Sequence, residues 1–157
     1  MSSKNILILG MHRSGTSCLT GSLQQLGLNL GNVSQQDPYN LKGNRENRNI
    51  SLLNESILKH NGGSWSNIPE EIFWTKEHTQ EQNHLLNDYL GLPEPRGFKD
   101  PRMLFLLPFW QQKLKNIDYI GTFRHPYAVA KSLYSRQSFS IPVTDGIELW
   151  YQYNKQL

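Results

Sequence analysis

A single cysteine stands in 157 residues. Cys18 has no partner for an internal disulfide, so nothing points to an oxidising compartment and a reduced, cytoplasmic setting is the expectation; a lone thiol just inside a helix reads as packing. Long apolar runs are missing as well. The longest, ILIL (6–9) and MLFLLPFW (103–110), fall far short of the roughly 20 residues that cross a membrane. The opening MSSKNILILG has neither the apolar stretch nor the small-residue cleavage site of a secretory signal. Runs of one charge are lacking too: the formal net charge is +3 and the pI about 9.0, but the lysines and arginines are scattered. That excludes the basic patches of nucleic-acid and membrane-surface binders and suits a small polyanionic ligand. Charged residues make up 18% of the chain, below the usual share of about 25%, so Asn, Gln and Ser must supply much of the polar surface. His60, His78 and His84 form no i, i+4 pair and stand near no cysteine, and no metal site is expected. No repeat or low-complexity segment is present, and the length suits one domain over residues 1–157.

What is present alternates between strand-like and helix-like stretches, the pattern of an α/β fold. NILILG (5–10) reads as a buried parallel strand, because every residue from 6 to 9 is apolar. A helix is expected from about 15 to 27, with Leu19, Leu23 and Leu26 on one stripe and Gly27 as its stop. Residues 28–43 hold Gly31, Asp37, Pro38 and Gly43 and read as an ordered loop. Helices follow at about 44–60, with Ile50, Leu53 and Ile57 inward, and at 76–90. A very short strand ends at Lys99, and a helix over about 102–115 should be kinked or interrupted by Pro108. IDYIGTF (117–123) is the next strand, Pro126 starts another helix, and a last helix runs from about Thr144 to Leu157. Three strands are few for an open parallel sheet.

The stretch GMHRSGTS (10–17) joins the first strand to the first helix. A buried strand turning through a glycine-rich loop into a helix gathers backbone N–H groups and the positive end of the helix dipole at one point, which binds phosphate. Against the Walker A pattern GxxxxGK[ST], Gly10, Gly15 and Ser17 match, but Thr16 stands where lysine belongs. IDYIGTF leads into Arg124 with no aspartate at its tip to help hold magnesium. Both departures argue against an ordinary ATPase or nucleotide kinase. The cation is instead Arg13, two positions before the second glycine.

GMHRSGTS resembles the 5′-phosphosulfate loop of the sulfotransferases that use 3′-phosphoadenosine 5′-phosphosulfate (PAPS). FRHPYAVAKS (123–132) is similar to that family's 3′-phosphate site, in which an arginine at a strand end and a serine eight positions later, here Arg124 and Ser132, hold the second phosphate. Taken singly, Arg124 reads equally well as a local ion-pair partner and Ser132 as a neutral helix residue. FKDPRM (98–103) resembles a strand-end motif of bacterial members; Lys99 could fill a lysine role there, but no histidine base follows it. The resemblance implies a P-loop NTPase-like three-layer α/β fold with a parallel sheet flanked by helices. It also implies PAPS as co-substrate, 3′-phosphoadenosine 5′-phosphate (PAP) as product, and no metal. Arg13, Ser14, Gly15, Thr16 and Ser17 would hold the 5′-phosphate, through the N–H groups of 14 to 17 and the hydroxyls of Thr16 and Ser17. Family members carry a further parallel strand and a basic, glycine-containing segment over the 3′-phosphate. Neither is found before Leu157, so a truncated or partial member with an incomplete sheet is expected.

Sulfuryl transfer needs a base for the acceptor hydroxyl. Several members place a glutamate in a stretch like NLKGNRENRN (40–49), which makes Glu46 the candidate; the alternative is a carboxylate favouring a helix N-terminus. Asp100 is the second candidate base, with a structural ion pair to Arg102 as its other reading, and Lys99 would touch the sulfuryl group or the acceptor. His12 sits in the loop near the ligand. The acceptor, a small-molecule or saccharide hydroxyl, would meet residues of about 28–80, where Trp65 and Trp74 read as stacking platforms or as packing. A nucleotide-binding module without turnover is the alternative function, and a nucleotide kinase of similar topology a third.

Overall fold

Three segments pair side by side in one parallel sheet. The computed structural model describes residues 4–34, 36, 43–136 and 140–157. Strands β1 (Asn5–Leu9), β2 (Arg96–Lys99) and β3 (Ile117–Gly121) lie in the order β2-β1-β3. The register sets Ile8 beside Lys99 and Leu9 beside Gly121. All three carboxyl ends therefore emerge on the same side.

Side chains alternate across β1, and the two faces meet different partners. Leu7 and Leu9 enter a large core with Ile50, Leu53, Phe98, Phe109 and Trp110. That core is built by α2 (Arg48–His60), α3 (Lys76–Leu90), α4 (Met103–Gln111), α5 (Pro126–Tyr134) and α6 (Val143–Asn154). Ile8 joins Leu28, Leu30 and Val33 in a smaller cluster on the other face, against Leu19 and Leu23 of α1 (Thr16–Gln25). The molecule is thus α/β, with helices on both faces of a parallel sheet. Among the described residues no helix is long and apolar enough to cross a membrane.

Several boundaries differ from the sequence reading, each for a local reason. Leu26 is not on the buried stripe of α1: the helix has ended, Leu26 is its C-cap, and its side chain is 83% exposed. Gly27 provides the positive φ of 100° that turns the chain away. Helix α2 starts four residues later than expected, because the Asn47 side chain caps it by accepting from the N–H groups of Asn49 and Ile50. Pro108 lies inside α4 without ending it, and the helix stops at Gln111 rather than near 115. The last helix ends at Asn154. The expected loop is ordered where described: Leu28, Leu30 and Val33 are buried, and Asn29 forms a parallel bridge with Arg96. Asp37 and Pro38 lie outside the described residues. Strand β3 is an edge with a half-exposed face, where Tyr119 is 45% exposed.

Candidate active site

From the central strand β1 the chain crosses to β2 on one side and later to β3 on the other, so the order reverses at β1. In such sheets the crevice outside the carboxyl ends at that switch point is where ligands bind. Here it holds a cavity of about 610 Å³.

The loop from β1 to α1 forms its floor. Gly10 has φ 144°, and a Cβ there would lie 2.6 Å from the Thr122 carbonyl oxygen and 2.8 Å from Thr16 Cγ2, so only glycine lets the loop pass the end of β3. Thr122 braces the loop further by donating its hydroxyl to the Ser14 carbonyl at 3.1 Å. Arg13 and Gly15 both adopt positive φ, 68° and 92°. Helix α1 has no side-chain cap, which leaves the N–H groups of its first turn open to a ligand. One expected donor is withdrawn: the Ser14 N–H bonds the Met11 carbonyl at 3.2 Å, so the cradle begins at Gly15. The Ser17 hydroxyl donates to the Asn44 carbonyl at 3.1 Å and ties the loop to the segment before α2. Thr16 and Ser17 line the cavity, whereas Ser14 is buried beneath it.

The second motif reaches the same mouth. Arg13 Nε donates to Ser132 Oγ at 2.8 Å, across 119 residues of chain. Arg124 Nη1 donates to the Arg13 carbonyl at 3.3 Å, and the Arg124 carbonyl accepts from the Trp150 indole N–H at 2.8 Å. Arg13 and Arg124 both line the cavity.

Glu46 stands in the opposite wall. It precedes the Asn47 cap, so it belongs to the extended segment before α2 and not to that helix's first turn. Its carboxylate accepts from Lys99 Nζ at 2.6 Å. Burial raises the Glu46 carboxyl above its ordinary range, and the Lys99 ammonium pulls the other way. Lys99 itself is buried at the end of β2 and lines the cavity with Glu46.

Asp100 requires a correction. It is fully buried, bonds both Arg102 Nη1 (2.8 and 3.0 Å) and the Arg102 N–H (2.9 Å), and is not part of the cavity wall. Arg102 continues to Glu55 at 2.9 Å. Its place is the structural ion pair, not the base.

His12 lines the cavity with its ring against Trp65, centroids 4.6 Å apart. Burial lowers its pKa well below the ordinary value, and Arg102, Lys99, Arg136 and Arg13 add to the effect. Trp65 and Trp74 pack on the core, Trp74 against Phe109 at 5.4 Å. Cys18 departs from its packing reading: it is exposed on the cavity wall. Sequence reasoning also passed over Arg45 and Arg136, which line the same space. Arg45 adjoins Glu46 and Arg136 follows Ser132 by four residues, the only signals available for either. Among the described residues five cations, Arg13, Arg45, Lys99, Arg124 and Arg136, thus surround the cavity with one carboxylate, Glu46. The balance favours a polyanion.

Comparison with protein-family models, curated proteins and solved structures finds no match to this chain.

Proposed function

We propose that the chain is a sulfotransferase that accepts PAPS in the loop of residues 10–17 and moves its sulfuryl group to an acceptor hydroxyl. The carrying observation is the 2.8 Å bond from Arg13 to Ser132, which joins the two phosphate motifs at one cavity mouth. The glycine-rich turn at the central strand and the cationic wall support the same reading, and with it a P-loop NTPase-like fold. In this reading Arg13, the amides of Gly15, Thr16 and Ser17, and the Thr16 hydroxyl hold the 5′-phosphate, while Arg124 and Ser132 hold the 3′-phosphate.

The chemistry is an in-line displacement helped by positioning and by fixed positive charge. As the acceptor oxygen bonds to sulfur, the bond from sulfur to the 5′-phosphate oxygen breaks and its electron pair stays on the phosphate. Arg13 and the first-turn amides offset that charge. Glu46 takes the acceptor proton; its raised carboxyl makes it a better base than an ordinary glutamate. Protonation dissolves its ion pair and leaves the Lys99 ammonium on the cavity wall.

Thermal unfolding with ligands tests the assignment. PAP should raise the melting temperature and ATP with magnesium should not, and labelled PAPS should then pass sulfate to a hydroxyl acceptor. Protection by ATP and magnesium alone would sink the reading in favour of a kinase. PAP protection without transfer to any acceptor would leave a binding module, a reading favoured by the Glu46–Lys99 pair, which ties up the base.

A further inference from the structure

We infer that Arg45 reads a carboxylate on the acceptor, so that the substrate class is a hydroxylated, anionic molecule; this rests on the sulfuryl-transfer reading above. The first observation is backbone strain. Among the described residues three non-glycines have positive φ: Arg13 (68°), Arg45 (57°) and Asn116 (53°). Asparagine tolerates that region, whereas arginine does so only at a cost that glycine would avoid. Both arginines line the same cavity, and strain of this kind gathers at functional sites.

The strain has a geometric effect. The segment pairs with Ser34, whose N–H bonds the Glu46 carbonyl at 3.1 Å while the Arg45 N–H bonds the Ser34 carbonyl at 3.1 Å. In a regular extended segment successive side chains point to opposite sides. The left-handed turn at Arg45 breaks that alternation, and Arg45 and Glu46 enter the same cavity.

Among the described residues no carboxylate neutralises the charge of Arg45. Lys99 is paired with Glu46, and Arg102 with Asp100 and Glu55. Arg45 Nη1 instead bonds the neutral side-chain oxygen of Gln24 at 2.5 Å, and no carboxylate of the described residues lies within ion-pair range of it. Its guanidinium lies along α1, where a Cβ at Gly21 would be in ordinary contact with Arg45 Nε at 3.9 Å. Eight residues at about 1.5 Å each separate Thr16 from Gln24, so this end of the cavity lies about 12 Å from the phosphate cradle. Ser22, Gln24 and Gln25 of the same helix line the cavity with hydrogen-bonding groups, which suits hydroxyls. A guanidinium bound to a neutral amide keeps its fork for a planar carboxylate.

Calorimetric titration of the full chain, with PAP present, tests this with a β-1,4-linked glucose tetramer and the same tetramer oxidised to carboxylates at C6. The acidic tetramer should bind at least tenfold more tightly. Arg45→Gly relieves the positive φ and should fold with an unchanged or higher melting temperature, keep PAP affinity within twofold, and lose the preference. Arg45→Lys should retain part of it. Equal or absent binding of the two tetramers to the wild type, or a preference surviving in Arg45→Gly, overturns the proposal. A tenfold loss of PAP affinity in Arg45→Gly overturns it too, by assigning Arg45 to the nucleotide. If PAP fails to bind the wild type while the acidic preference and its loss in Arg45→Gly persist, the sulfuryl-transfer reading fails and the anion-reading role of Arg45 stands.

Discussion

At the scale of single residues, Glu46 and Asp100 show how one charge type takes two roles. Both carboxylates lie near the end of β2, but Asp100 is enclosed by Arg102 while Glu46 meets the cavity with Lys99 as its partner. Glu46→Gln should lower turnover by roughly 10² to 10⁴ and leave PAP binding intact; a near-normal rate removes it from the base role. Its carboxyl is raised by burial, so the wild-type rate should climb with pH along a limb lying above the ordinary glutamate value of about 4.3. Glu46→Gln should flatten that limb. By contrast Asp100→Asn removes charge from a sealed pair with Arg102 and should appear chiefly as a lower melting temperature.

At the scale of elements, the site depends on how tightly the loop after β1 passes the end of β3. Gly10→Ala would set a Cβ 2.6 Å from a backbone oxygen that cannot swing aside. Substitution at a positive φ of 144° adds strain to the clash. The variant should lose about 1–3 kcal/mol of stability and also bind PAP less well, because the loop must lift away from Thr122 and carry Arg13 with it. Denaturant unfolding and PAP titration on the same sample check both. Unchanged affinity in a destabilised Gly10→Ala would show that the loop does not hold the ligand. The capped start of α2 matters in the same way: Asn47 ends the extended segment, and this keeps Glu46 out of the helix and against Lys99.

At the scale of the whole molecule, His12 couples the site to global stability. Its folded pKa is lowered below the ordinary 6.5 by burial and by surrounding cations, so between the two values the unfolded chain binds more protons. Stability is then full above about pH 6.5 and falls as the pH drops below it. His78, also lowered by burial, adds the same sign. The raised Glu46 has the opposite sign, losing stability as pH rises above the ordinary glutamate value of about 4.3. The melting temperature should therefore drop between pH 7 and pH 5.5, and His12→Gln should make that drop shallower. An unaltered slope in His12→Gln would exclude His12 as a source.

The sequence by itself determined the alternation of elements, the buried first strand and the phosphate-type turn, because these rest on apolar periodicity, glycine and proline, which act within a few residues. It also held both arginine motifs, Arg13 and Arg124 with Ser132, as local patterns. The meeting of Ser132 with Arg13, the pairing of Glu46 with Lys99, and the reach of Arg102 to Glu55 were decided only by the tertiary structure. Each depends on strand order and on a backbone turn that brings distant segments together, and no local pattern of side chains encodes such a distance.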